Sequence, residues 1–152
     1  MSLGSSLRRA VRAATSGVPR LYAAARSAGA DHRDAAALVS ASASALMVAA
    51  RRHPHEWRRQ NAVRHFAWQA LLTARYGVEM ARALADAHER GSSDAVDSSV
   101  DRANNAAGQA YGAAHAAQLR RGPVGATLTH LVEVAEREWA AGRLSSPPRR
   151  DG

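Results

Sequence analysis

Two stretches of this chain place polar residues at the spacing a helix normally reserves for its core. Asn61-x-x-Arg64-His65-x-x-Trp68 and Asp101-x-x-Asn104-Asn105-x-x-Gly108 both follow i, i+3, i+4, i+7. On an α-helix that spacing gathers the four side chains onto one stripe. The stripes carry Asn, Arg, His and Asp where Leu or Val would ordinarily sit. A chain that commits two inward-looking stripes to polar groups is building either a site or a buried polar network.

The rest of the composition agrees with helices. Alanine is abundant and aromatic residues make up 5% of the chain, so helices can approach closely and a β fold is disfavoured. At 152 residues the chain is long enough for one domain with its own core. The expectation is an all-α, single-domain helical bundle of about five to seven helices. There is no cysteine, which excludes disulfides and thiolate–metal sites and leaves His, Asp, Glu or Asn as the available metal ligands.

Helix punctuation divides the chain. Leu3, Leu7, Ala10, Val11 and Ala14 form an apolar stripe beside Arg8, Arg9 and Arg12, predicting a short basic amphipathic helix ended by Gly17 and Pro19. A second short helix is expected over 21–27. Asp31 is placed to cap a long helix running to about Arg52, and His53-Pro54-His55 then breaks the chain. Further helices are expected over 56–76, 78–90, 98–121 and 127–141. Arg75, Arg90 and Arg121 each stand close before a glycine (Gly77, Gly91, Gly122), a pairing that suits a left-handed C-terminal residue and the negative helix end. In domain terms this predicts a basic arm with short helices over 1–30, a bundle over 31–142 that carries the polar stripes, and a disordered tail over 143–152, where Pro147-Pro148 and Arg149-Arg150 lie.

Charge is uneven. All 21 basic residues are arginine, and residues 1–60 hold ten of them against three acids, whereas residues 61–152 are nearly balanced. The basic half suits nucleic acid or another anionic surface as partner. No apolar region follows the arginine-rich start, so no secretory signal is expected. That leaves the cytoplasm, or delivery by a dedicated secretion system. The most apolar run, residues 35–50, is shorter than the roughly 20 residues needed to span a bilayer, and a buried helix is the expectation there.

At about 100° per residue, the 56–76 helix has Val63, Phe66, Ala67, Ala70 and Ala74 on one side. Asn61, Arg64, His65, Trp68 and Leu72 lie on the other, and the helix belongs at the centre of the bundle. In the 98–121 helix, Asp101, Asn104, Asn105, Gly108 and Gly112 share a side, where the two glycines suggest close approach of a ligand or another backbone. His88 continues the inward line of Ala81, Leu84 and Ala85. Glu89 points about 100° away and is free to orient a neighbour or pair with Arg64, Arg75 or Arg102. Each motif also has a plainer reading. Ser98-x-x-Asp101 could start a helix as a capping box, Asn104 and Asn105 could bond helix ends or loops, and Arg64 could simply pair with an acid. His32, His53, His55, His115 and His130 have no comparable setting. There is no H-E-x-x-H and no Gly-rich phosphate loop.

The ordered set Asn61-Ala-Val-Arg64-His65-Phe-Ala-Trp68, Ala87-His88-Glu89 and Asp101-x-x-Asn104-Asn105-x-x-Gly108 resembles a family of small, uncharacterised helical bacterial domains. These domains also occur as C-terminal modules of Rhs-type polymorphic toxins. The resemblance implies an all-helical domain with a hydrolytic or toxin-like activity.

Two functions compete. In the first, the chain is a hydrolase, such as a metal-dependent phosphodiesterase. His65 and His88 would act as an acid–base pair or as metal ligands, and Asp101 would complete a divalent-metal site or orient a histidine. Arg64 would stabilise charge developing on phosphate, and Asn61, Trp68, Glu89, Asn104 and Asn105 would position substrate. In the second, the stripes form a buried network that fixes helix register, and the arginine-rich arm contacts nucleic acid, an anionic membrane or a partner protein.

Overall fold

A computed structural model describes residues 17–91 and 95–146, and every regular element in them is helical. The elements are α1 (residues 17–27), α2 (His32–Arg52), α3 (Trp57–Tyr76), α4 (Val78–Glu89), α5 (Ala95–Ala114), α6 (Ala116–Leu119) and α7 (Val124–Ala140). The amphipathic helix expected over 3–14 lies outside the described residues. Gly17 and Pro19 are themselves helical rather than helix-ending; the φ that a proline ring imposes is a helical one.

Helix α3 forms the axis of the bundle. Val63, Phe66, Leu71 and Leu72 are buried, and so are His65, Gln69 and Trp68 on its polar side. It packs against α2, α4, α5, α6 and α7. The α2 helix starts as expected, with the Asp31 carboxylate accepting from the Asp34 N–H at 2.7 Å. Its face of Ala35, Leu38, Ala41, Ala45 and Ala49 is buried, and the helix packs on α3 and α7. The opposite face, with Ala36, Ala43 and Met47, is exposed. Helix α2 has the length and hydropathy of a bilayer-spanning segment, yet one face is packed as a bundle helix's is. In α7, Leu128, Leu131, Val132 and Ala135 face inward as their spacing predicts.

The pairing of α3 with α5 sets the geometry of everything else. Three side-chain contacts join them: Asn61 to Asp101, His65 to Asn105 and Gln69 to Gln109, each across 40 residues. A constant difference in residue number means that the two helices run parallel, with one rung per helical turn. Helix α4 is the return crossover, and its far end comes back beside the first rungs. The two glycines of the α5 stripe make this approach possible. A Cβ on Gly108 would collide with the Phe66 carbonyl, and one on Gly112 with that of Ala70. These glycines make room for a backbone.

Several local expectations change. The long helix begins at Ala95 and breaks at His115. Ser98 is therefore a buried residue inside the helix and not a cap, which removes the capping-box reading of Asp101. Gly77 and Gly122 have positive φ, but Gly91 does not, and Gly77, with φ 90° and ψ 159°, lies outside the αL well in a region that glycine alone adopts readily. Arg75 donates to the Leu119 and Gly122 carbonyls and to Thr127, while Arg120 donates to the Ala74 carbonyl. The two arginines thus satisfy carbonyls at each other's helix ends. The segment expected to be disordered from residue 143 is fixed where it is described. Leu144 is buried, and Ser145 gives its N–H to Asn104 Oδ1 (2.8 Å) and takes Asn104 Nδ2 on its carbonyl (3.0 Å).

Gly108→Ala should lower stability by about 1–3 kcal/mol, the cost of overpacking, despite alanine's better helix propensity. The expected fall in Tm is roughly 3–10 °C, measured by circular dichroism. An unchanged Tm would mean that the helices do not meet this closely.

Candidate functional site

Three helices bring the polar stripes to one place. Helix α3 supplies Asn61, Arg64, His65 and Trp68, α5 supplies Asp101 and Asn105, and the last turn of α4 supplies His88 with Glu89 as its neighbour. His65 is fully buried and sits at the centre. Its Nδ1 lies 2.8 Å from Asn105 Oδ1, and an acceptor at that distance requires Nδ1–H to donate. Its Nε2 lies 2.7 Å from Arg64 Nη2. Asp101 Oδ2 stands 3.1 Å from the same Nε2, so this ring nitrogen has both a guanidinium and a carboxylate as close neighbours. The other Asp101 oxygen is held by Asn61 Nδ2 at 2.6 Å, and Arg64 Nη2 also donates to Asn61 Oδ1 at 2.8 Å.

The rings of Trp68 and His88 close the cluster. His65 and His88 meet edge to face with centroids 5.3 Å apart, and Trp68 stands edge-on to both at 6.0 and 5.6 Å. His65, His88 and Asp101 each offer a ligand atom, all lying within 4.8 Å of one another. Asn61, Arg64 and His88 are half-buried, so the cluster reaches the surface on this side.

Burial and charge set the protonation states. Burial, together with the nearby Arg64 and His65, pushes His88 from 6.5 down to about 3 against the pull of Asp101, and Arg20 of α1 adds to the depression. His88 is therefore a neutral imidazole near neutral pH, with lone-pair capacity for a cation but little basicity toward a proton. Burial raises the Asp101 carboxyl, but His65, Asn61 and Arg64 together outweigh it and hold it below the usual carboxylate range. Burial lowers the Arg64 guanidinium, opposed by Asp101 and Glu89.

Not every residue of the expected set joins the cluster. Asn104 spends its amide on Ser145, as above. Glu89 bonds none of the three arginines considered for it: both its oxygens are buried without a hydrogen-bond partner among the described residues. Two participants were not visible in the sequence. Arg20 reaches the cluster from α1. Gln69, fully buried, accepts from Gln109 at 2.7 Å as the third rung; its place four residues after His65 was the available signal. His53, set aside in the sequence, is buried with Nε2 3.0 Å from Glu136. It pins the end of α2 to α7, away from the cluster.

The depressed His88 and Asp101 both make the fold weaker in acid. Between pH 6.5 and about 3 the unfolded chain binds a proton at residue 88 that the folded chain refuses, so stability falls as pH falls. Asp101's contribution is lost further down, as pH drops through its folded pKa. Urea midpoints should decline across this window, and His88→Gln should flatten its upper part. An NMR titration showing His88 protonating near 6.5 would contradict the burial argument.

No curated protein and no solved structure matches the chain. A family model described as a domain of unknown function, DUF6973, matches residues 29–135. That span takes in α2 to α6, most of α7 and every α3, α4 and α5 residue of the cluster, and by this match the chain belongs to the DUF6973 family.

Proposed function

We propose that this protein is a hydrolase whose centre is a divalent cation held by His65, His88 and Asp101, acting on a phosphodiester. One observation carries the reading: His65 Nε2 and Asp101 Oδ2 stand 3.1 Å apart, and His88 brings a third ligand atom within 4.8 Å of both. Two ligands on a tetrahedral metal at about 2.0–2.2 Å each stand roughly 3.3 Å from one another, so the pair is already near the bite of a metal. The outer atoms of both ligands are engaged, His65 Nδ1 by Asn105 and Asp101 Oδ1 by Asn61. Such outer partners fix ring orientation, and Arg64, which now covers His65 Nε2, would give way to the cation. His88, neutral and on a third helix, would complete a three-ligand set. A cation held by these residues would supply Lewis acidity and lower the pKa of a bound water; in phosphodiester hydrolysis a water oxygen bonds to phosphorus, the P–O bond to the leaving alkoxide breaks, and a proton of the water ends on the alkoxide. Arg64 supports the negative oxygens of the phosphoryl group.

A specific observation favours a second reading. The cluster's members bond one another across α3 and α5, as a register-fixing network would. The arginine-rich first 60 residues would then carry binding to an anionic partner, with affinity falling steeply as salt rises.

Metal content of tag-free protein separates the two. The hydrolase reading expects about one equivalent of metal, lost in His88→Ala while the fold remains, and metal-dependent cleavage of a chromogenic phosphodiester lost with it. No metal in the wild type, with a lower Tm in the variant, would leave the network. The toxin-like role implied by the motif resemblance belongs to the same proposal. Expression in bacterial cytoplasm should then arrest growth, and His88→Ala should relieve the arrest.

A further inference from the structure

Two oddities in the cluster explain each other, on the reading of it as a cation centre. The first is Glu89, whose Oε1 and Oε2 are both buried with no donor among the described residues. Leaving a carboxylate so is costly. The second is Arg64, whose charge is felt by Glu89 and Asp101 alike. Its five donors in a planar fork match a carboxylate, yet it places Nη2 on His65 Nε2 and Asn61 Oδ1. The atom it covers, His65 Nε2, is the one a metal would need.

We propose that Arg64 is a built-in occupant of the cation position and that Glu89 is its second seat: when a divalent cation binds His65 and Asp101, the guanidinium leaves His65 and pairs with Glu89. The charges support this exchange. Arg64 Nη2 is spent on His65 and Asn61 while Glu89 has no donor among the described residues, and a divalent cation beside Asp101 would free the guanidinium for that second carboxylate. In the first state Arg64 screens Asp101 and Glu89 goes unserved. In the second the metal screens Asp101 and Arg64 serves Glu89. The exchange also leaves Arg64 at the edge of the metal centre, with the outer N–H groups of its fork available to an anionic substrate. Glu89 is thus a positioning residue that acts through Arg64. The other guanidinium on this side is Arg20, which lies against Gly91 and lowers His88, and it serves as the control.

The test is calorimetric titration of the full chain with Zn²⁺ alone, in wild type, Arg64→Met, Glu89→Gln, the double variant and Arg20→Met. Glu89→Gln should weaken Zn²⁺ binding by about tenfold, as loss of an outer partner does, and Arg64→Met should tighten it by about as much. In the Arg64→Met background Glu89→Gln should have little effect, because no guanidinium needs a seat. Arg20→Met should leave that coupling intact. Independently of the variants' folding, the Arg64 Nε–H NMR signal in the wild type should move on Zn²⁺ addition. Simple additivity of the two substitutions, or an Arg64 signal unmoved in protein shown to bind Zn²⁺, would overturn the exchange and leave the cation centre standing. A wild type that binds no Zn²⁺ would overturn both.

Discussion

The parallel contact of α3 with α5 is the constraint on which this structure depends. Two helices can approach this closely only where one presents no side chain, and Gly108 and Gly112 provide that against the carbonyls of Phe66 and Ala70. A Gly in a helix interior sacrifices about 1 kcal/mol relative to Ala, which the surrounding packing must offset. Once the backbones are this near, His65 and Gln69 cannot reach water, Asn61 is half-buried, and each takes a partner from the facing helix. Asp101, Asn105 and Gln109 supply one per turn. Close packing and polar pairing are therefore two aspects of a single arrangement.

Parallel pairing also dictates where the third helix ends. A chain leaving the end of α3 must return along the bundle before starting a parallel partner, and α4 is that return. Its last turn comes back to the level of the first two rungs. Hence His88 stands beside His65, and Glu89, one position further, lands near Arg64. The cluster lies at one end of the bundle because topology carries α4 back there, and its members come from residues as far apart as 61 and 105.

Much of this was legible in the sequence, for a physical reason. Side-chain periodicity along a helix is a local property, so the stripes through Asn61–Trp68 and Asp101–Gly108, the central place of α3 and the Asp31 cap could all be read directly. What pairs with what is not local. Nothing near Asn104 indicates that its amide will hold Ser145, 41 residues on. Nothing near Arg75 or Arg120 shows that each will satisfy carbonyls at the other's helix end. The arginine–glycine pattern suggested that each helix caps itself, and Gly91, without a positive φ, shows how far such a pattern can mislead. The glycines of the polar stripe were correctly read as marks of close approach, but only the facing carbonyls decided between a ligand and a backbone.

The distinction between a site and a network turns on which polar atoms lack partners. A network that exists to fix register gains from satisfying every member, because each buried orphan erodes the stability it supplies. In this cluster Trp68 Nε1, Asn105 Nδ2 and both Glu89 oxygens have no partner among the described residues. Meanwhile His65 Nε2 is contested by a donor and an acceptor at 2.7 and 3.1 Å. One atom is crowded while a carboxylate beside it goes unserved, and a single added cation would address both faults by taking the contested nitrogen and releasing Arg64 to Glu89. That asymmetry is what a register-fixing network has no use for, and it is the physical ground on which the cation-centre reading is preferred.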